Sequence, residues 1–338
     1  MDSNRTEVFS RKVQQLRNDW AHARQSSNLF PPAGKPILDM QNECGDKPCM
    51  ILWYEDGKDT EQCVRLYDKP GTLSGDILRM RRNLPDVNGH FEIDGDTIRP
   101  LDQCLETPEP IKDDFENIDD LLESLPLLDI DQAKHFVKKG KYRSEIENLL
   151  KCQGGSCPGK PKTHHLIRLL GKSQKGELAF EKLLPCQFVI QKFSALDDFK
   201  RWILDMIDGL GCLHLLGIVH RDIRIDNCLF SNGGRRLVLC DLESRWGQRS
   251  PPEIAGQGML DNAGWSTKSD IYCIGECVKC MVYGNAPPTN YVDWPVPTPL
   301  DAIVAACMHK SPEERPSLDE LRGMVENITT GTNDEDKD

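Results

Sequence analysis

No stretch of this chain approaches the roughly 18 consecutive apolar residues that crossing a bilayer requires, so a membrane-spanning segment is not expected. The amino terminus lacks the apolar core of a secretory signal. Asp2, Glu7 and Asp19 count against a mitochondrial presequence despite Arg11, Lys12, Arg17 and Arg24. Positive charge is in deficit: 42 Lys and Arg face 54 Asp and Glu, a net charge of −12. A surface of that sign argues against general binding to nucleic acid or anionic membrane. No internal repeat is visible. No Cys/His quartet stands at zinc-ribbon spacing, and Cys152 and Cys157 merely flank Gly-Gly-Ser. The 14 cysteines are therefore expected as free thiols in a reducing, cytoplasmic or nuclear compartment, where the Asn327-Ile328-Thr329 sequon has no meaning.

What is present suits a globular protein: 338 residues, 38% hydrophobic and 28% charged, long enough for two compact units. In residues 1–35, Phe9, Val13, Leu16 and Trp20 form the stripe of an amphipathic helix, closed by the break at Phe30-Pro31-Pro32-Ala33-Gly34. Residues 36–110 read as a small α+β module of unassigned role. Its strands are expected at Met50–Tyr54 and Cys63–Tyr67 around the turn Glu55-Asp56-Gly57, its helix at Leu73–Leu84, and a strand pair at His90–Arg99 bent at Asp94-Gly95-Asp96. Residues 111–130 are acidic and read as a solvated connector. A polar tail, 329–338, is expected to stay disordered.

The chemistry-bearing stretch is His220-Arg221-Asp222-Ile223-Arg224-Ile225-Asp226-Asn227. Leu196, Phe199, Ile203, Met206, Ile207, Leu210 and Leu213 repeat with a period of 3.6, so a long buried helix delivers the chain to it. Two short apolar runs follow, Cys228–Phe230 and Leu237–Cys240, around an Asn-Gly turn that predicts a β-hairpin. A hairpin brings its open ends together, so Asn227 and Asp241 should lie side by side with Asp222 on the same loop. Clustered carboxylate and amide oxygens suit Mg²⁺ and the phosphates it accompanies. Downstream, Cys273, Cys277 and Cys280 fall at helical spacing, as small buried residues on one face would.

His-Arg-Asp-x4-Asn followed by a hairpin and Asp241-Leu242-Glu243 resembles the catalytic and metal loops of eukaryotic protein kinases. The series continues in order. Ser250-Pro251-Pro252-Glu253 resembles the Ala-Pro-Glu that closes an activation segment, and Lys268–Gly275 resembles the helix whose Asp braces the catalytic loop. Pro312–Ser317 resembles the loop whose Arg pairs with that Glu, which implies a Glu253–Arg315 ion pair. Upstream, His165–Gly171 is similar to a small-lobe strand, and Leu178–Leu183 to the strand and hinge that hold adenine. Glu145–Leu150 is similar to the helix whose Glu pairs with a strand lysine. The resemblance implies a bilobal α+β fold, with a divergent small lobe at 131–185 and a mainly helical large lobe at 186–328.

By the same resemblance Asp222 accepts the substrate hydroxyl proton, and Asn227 and Asp241 hold Mg²⁺ against the phosphates of ATP. Arg224 stands where a charge near the transferred phosphate is expected, though an arginine fork is no geometric substitute for lysine. Glu181 and Leu183 fall on the adenine side. His220 is expected to be structural, and Arg221 to bind either an activation-loop phosphate or the loop backbone. Leu149 and Leu242 are expected to pack the lobes together. Lys138 and Lys139 compete for the ATP lysine that pairs with Glu145, since strand alternation aims only one of them inward. Lys139 is preferred because it keeps a strand-Lys-Gly ending.

Three departures from the family pattern stand out. No glycine lies between Gly95 and Gly140, so a glycine-rich phosphate-covering loop has no candidate. Lys139 and Glu145 are close in sequence, which truncates the intervening structure and puts their pairing in question. Glu243 replaces a glycine, with backbone states a glutamate reaches only at a cost. The expected function is transfer of the ATP γ-phosphate to protein serine or threonine hydroxyls with Mg²⁺. The alternative is a pseudokinase, an ATP-binding or scaffolding module with little catalysis. The partner is then a protein substrate or scaffold partner rather than nucleic acid or membrane, and nothing in the sequence sets an oligomeric state.

Overall fold

The computed structural model describes residues 2–26, 37–43, 47, 49–55, 61–67, 69, 72–80, 84–85, 87–106, 115–245, 247, 250–255, 264–284 and 295–329. The chain forms two units, a larger one of Met1–Gln15, Asp114–Asn285 and Val296–Asp338, and a smaller one of Leu16–Asp113 and Ala286–Pro295. The expected turn at 56–57, the break at 30–34 and residues 330–338 of the tail lie outside the described residues. Among the described residues no helix is long and apolar enough to cross a membrane.

The first helix is α1 (Asp2–Ser26), and of the expected stripe Leu16 is half-buried. Phe9 and Val13 are buried, and the Phe9 ring meets Phe199 edge-on at 5.5 Å. The Trp20 side chain lies outside the described residues.

In the smaller unit, strands β1 (Ile37–Glu43), β2 (Cys49–Glu55) and β3 (Glu61–Tyr67) are followed by α2 (Leu73–Met80), β4 (Phe91–Asp94) and β5 (Thr97–Pro100). The sheet runs in the order β1-β2-β3-β4-β5, with β3 and β4 parallel across α2 and every other pair antiparallel. Alternation along β2 and β3 builds two faces. Leu52, Tyr54, Val64 and Leu66 pack with Leu73 and Ile77 of α2. Cys49, Ile51, Trp53 and Cys63 point the other way, against Leu101, Cys104 and Leu105. The β1 strand was not expected. It is an edge strand with Leu38 51% and Met40 42% exposed, two apolar residues that burial does not account for. Helix α2 ends at Met80, short of Leu84, and 81–83 lie outside the described residues.

The larger unit begins with α3 (Asp119–Ser124), β6 (His135–Lys138), α4 (Arg143–Cys152), β7 (Leu169–Lys172), β8 (Leu178–Glu181) and β9 (Leu184–Pro185). Then come α5 (Leu196–Leu215), β10 (Cys228–Ser231), β11 (Arg236–Leu239), α6 (Pro252–Ala255), α7 (Thr267–Val282), α8 (Leu300–Cys307) and α9 (Leu318–Glu326). One antiparallel sheet has the order β6-β8-β7 and another the order β11-β10-β9. The first forms the small lobe with α4, and the helices from α5 onward form the large one. This is the bilobal α+β arrangement of a protein-kinase-like fold. The long amphipathic helix is α5, with Leu196, Phe199, Ile203, Met206, Leu210 and Leu213 buried as its period requires. Its Trp202 indole donates to Gly234 O at 2.8 Å, fixing the helix against the β10–β11 turn.

The acidic segment before β6 is not a solvated connector. Ile118 and Leu125 are buried, and Gly140 leaves room for Ile118, whose Cδ1 would lie 2.7 Å from an added Cβ. Leu128 N donates to Lys172 O and Lys172 N to Pro126 O, both at 2.9 Å, so the chain runs along the edge of β7. Two of its carboxylates have partners: Asp120 binds both guanidinium nitrogens of Arg143, and Glu116 accepts from Arg143 N at 2.8 Å and pairs with Arg245.

Candidate active site

The loop 216–227 leaves α5 and is held from below by α7. Ser266 caps α7 in a reciprocal capping box with Ser269. That places Asp270 in the first helical turn, where a carboxylate is favoured by the dipole. Asp270 is fully buried and accepts from His220 N and Arg221 N, both at 2.9 Å, and from His214 Nε2 at 2.8 Å. His220 donates from Nε2 to Cys240 O at 3.0 Å, and its Nδ1 faces the Asp222 amide at 3.4 Å. With one nitrogen donating and the other accepting, this imidazole is a structural bridge between the loop and β11. Arg221 Nη1 donates to Arg245 O at 3.3 Å, a contact with the loop backbone.

Asp222 and Asn227 meet directly. Asn227 Nδ2 donates to Asp222 O and to Asp222 Oδ2, each at 2.8 Å. Both amide hydrogens are thereby engaged, which leaves Asn227 Oδ1 as the acceptor of that side chain. Burial lifts the pKa of Asp222, opposed by Arg224, His220 and the Asn227 hydrogen bond. The Arg224 guanidinium binds Asp226 at 2.5 Å, so its charge is shared with a carboxylate on the same loop. The β10–β11 hairpin closes as expected, with Cys228 opposite Leu239 and Cys240 N donating to Asn227 O at 3.0 Å. Asp241 is therefore delivered next to Asn227 in the chain's hydrogen-bonding order.

Asp241 is held by a lysine 103 residues upstream. Lys138 Nζ lies 2.8 Å from Asp241 Oδ1 and 2.7 Å from Glu145 Oε1. Burial works against the Lys138 charge, but the two carboxylates outweigh it and its pKa is raised. Burial also raises Glu145, whose side chain is only 2% exposed, against the pull of Lys138. The preference for Lys139 is corrected here. β6 ends at Lys138, and Lys139, beyond the strand, is exposed with its ammonium 4.7 Å from the Phe115 ring. The short connection to α4 does not prevent the pair from forming, because the side chain that reaches inward is the last one of the strand. Glu181 closes β8 opposite His135, and Leu183 precedes β9; both are half-buried.

The strain expected at Glu243 lies elsewhere. Among the described residues, the non-glycine ones with left-handed backbone are Arg221 (φ 71°), Asp241 (φ 63°) and Ser244 (φ 53°), all around this site. Glu243 keeps an ordinary φ, and burial, then Asp241 and Glu145, push its carboxyl up to about 7. The segment is secured by groups the sequence reading missed. Asn148 Nδ2 donates to Leu242 O at 2.9 Å, Ser144 Oγ donates to Glu243 O at 2.7 Å, and Ser244 Oγ donates to Val219 O. Ser144 and Asn148 sit one turn apart on α4, and that i, i+4 polar pair on a mostly apolar face was the available signal. Leu149 and Leu242 are buried, as packing residues must be.

The implied ion pair is present. Arg315 binds Glu253 through both guanidinium nitrogens at 2.7 Å, with Ser269 Oγ donating to Glu253 Oε1 at 3.0 Å. Burial opposes the Glu253 carboxylate, yet Arg315 outweighs it and the pKa is lowered.

No family model matches the chain. Curated relatives do. The serine/threonine-protein kinase KIC1 of Saccharomyces cerevisiae is 26% identical over 145 residues, 35% of this chain and 13% of the kinase. The serine/threonine-protein kinase pkpA of Phycomyces blakesleeanus is 30% identical over 110 residues, 29% of this chain and 18% of the kinase. The calcium/calmodulin-dependent protein kinase kinase cmkC of Emericella nidulans is 26% identical over 151 residues, 36% and 29% of the two chains. The match spans less than a third of the length of each of these relatives. Fold and distant homology together support a protein-kinase-like chain at the level of the superfamily, without a subtype.

Proposed function

We propose that the larger unit is an atypical protein kinase that transfers the γ-phosphate of ATP to protein serine or threonine hydroxyls. The observation that carries this reading is the Lys138 ammonium bridging Glu145 of the small-lobe helix and Asp241 of the loop after β11. A half-buried cation held between two carboxylates is set to meet phosphate oxygens where the lobes meet. The donor set also fits a hard divalent ion: Asn227 presents Oδ1, and Asp241 keeps Oδ2 beyond the oxygen engaged by Lys138. Mg²⁺ bound there with ATP would supply charge neutralisation for the transferring phosphoryl group. Asp222 then orients the substrate hydroxyl and takes its proton at Oδ1, since Oδ2 is fixed by Asn227; the raised pKa of Asp222 strengthens it as an acceptor.

The test is transfer of γ-labelled phosphate from Mg·ATP to the chain itself or to a generic protein substrate. Asp222→Asn is expected to lower the rate by about 10²–10⁴-fold. Transfer that persists at the wild-type rate in the variant would reject Asp222 as the acceptor.

The second reading, a nucleotide-binding scaffold without catalysis, is favoured by Glu243 and by the lack of any glycine between Gly95 and Gly140. It predicts that ATP binds and no label moves.

A further inference from the structure

Within the smaller unit, the sheet face opposite α2 carries a cluster of metal-ligating side chains. One sulfur each from Cys63 and Cys104 and a ring nitrogen of His90 lie within 4.8 Å of one another. They come from β3, from the residue before β4, and from the segment that follows β5. The sequence distance between them is why no spacing motif announces the group. Cys63 is fully buried, while His90 and Cys104 are half-buried, so an ion could enter from one side.

We propose that Cys63, His90 and Cys104 bind a zinc ion. Two thiolates and an imidazole select a borderline-soft ion such as Zn²⁺ over Mg²⁺ or Ca²⁺. Zn–S bonds of about 2.3 Å and a Zn–N bond of about 2.0 Å set tetrahedral donors roughly 3.5–3.8 Å apart. The cluster therefore needs to contract by up to about 1.3 Å. Three protein donors leave the fourth position to water or an external ligand.

One further contact suits a metal-bound sulfur. The Leu105 amide donates to Cys63 Sγ at 3.2 Å, an N–H directed at sulfur from the residue after the second cysteine. The Cys63 amide meets His90 Nδ1 at 3.2 Å, so that nitrogen carries the lone pair and the neutral ring is oriented toward Cys63. Zinc at Nδ1 would displace this amide. The physical gain is local. This sheet face is covered by the segment carrying Leu101, Cys104 and Leu105, pinned by Trp53 Nε1 donating to Leu105 O at 3.0 Å. An ion would clamp that segment to β3.

The test uses the full chain purified with reductant and zinc, desalted, and assayed for zinc by mass spectrometry. About one zinc per chain is expected in the wild type and in Cys157→Ser, and none in Cys104→Ser or His90→Gln. Cobalt exchanged into the wild-type protein should give a thiolate-to-cobalt charge-transfer band and intense tetrahedral visible bands, a readout that does not depend on any variant folding. A zinc content unchanged by Cys104→Ser, or a wild type without zinc or without the cobalt–thiolate band, would overturn the proposal. A Cys63–Cys104 disulfide found by peptide mapping of the zinc-treated, reduced protein would do the same.

Discussion

Adjacent lysines separate sharply in this protein. Lys138 is drawn into a two-carboxylate cage and Lys139 stays in solvent, although the sequence reading preferred the latter. What decides between them is the residue at which β6 ends, and strand ends are set by the pairing of Lys138 with Leu178, which composition does not encode. The Asp222–Asn227 contact was legible because both lie on one loop. The brace from Ser144 and Asn148 was not, since it depends on a helix packing against a segment almost a hundred residues away. Glu276 gives a prediction at this scale. It is 4% exposed, its Oε2 has no hydrogen-bond partner, and burial pushes its carboxyl up to about 7 despite its bond with Ser250. A carboxyl raised above its unfolded value binds its proton more tightly in the native state. Its contribution is therefore intact below pH 4.5 and is lost as pH rises through about 7. Glu276→Gln should change little at pH 4 and stabilise at pH 8 by up to about 3 kcal/mol, read from denaturant midpoints at the two values. A variant equally stabilised at both would contradict the shift.

In the large lobe α5 and the β10–β11 hairpin were legible because each announces itself locally, whereas α8 and α9 were not read. Helix α5 repeats at 3.6, the hairpin has its Asn-Gly turn, and α7 has its capping serine. The segment before β6 was misread for the same reason in reverse. Its acidic residues look solvated in isolation, and only the fold supplies Arg143 and Arg245 as partners. Gly171 tests that placement. At φ 152° it has no Cβ, and one added there would lie 2.3 Å from Pro126 O, a backbone atom that cannot yield cheaply. Gly171→Ala should destabilise by about 1–3 kcal/mol or more in thermal or denaturant unfolding. A neutral substitution would mean that 126–128 do not dock along β7. The Arg315–Glu253 pair makes the matching case in the large lobe. Arg315 is fully buried, so Glu253→Ala leaves its charge without a counter-ion, held by backbone carbonyls, and should cost about 3–5 kcal/mol. A far smaller loss would show that the pair is open to water.

For the whole molecule, the kinase-like architecture was legible from an ordered series of motifs spread over the larger unit, whereas the details of the small lobe had to come from three dimensions. Lys138, Glu145 and Asp241, together with Asp222 and Asn227, form the proposed site for Mg·ATP. Thermal unfolding with and without millimolar Mg·ATP tests that most directly, each variant being compared with its own nucleotide-free form. The wild type and Lys139→Met are expected to shift upward alike, by the equivalent of about 2.7 kcal/mol at a hundredfold excess over Kd, while Lys138→Met shows no shift. An absent shift in the wild type, or one that Lys138→Met retains and Lys139→Met loses, would contradict the account.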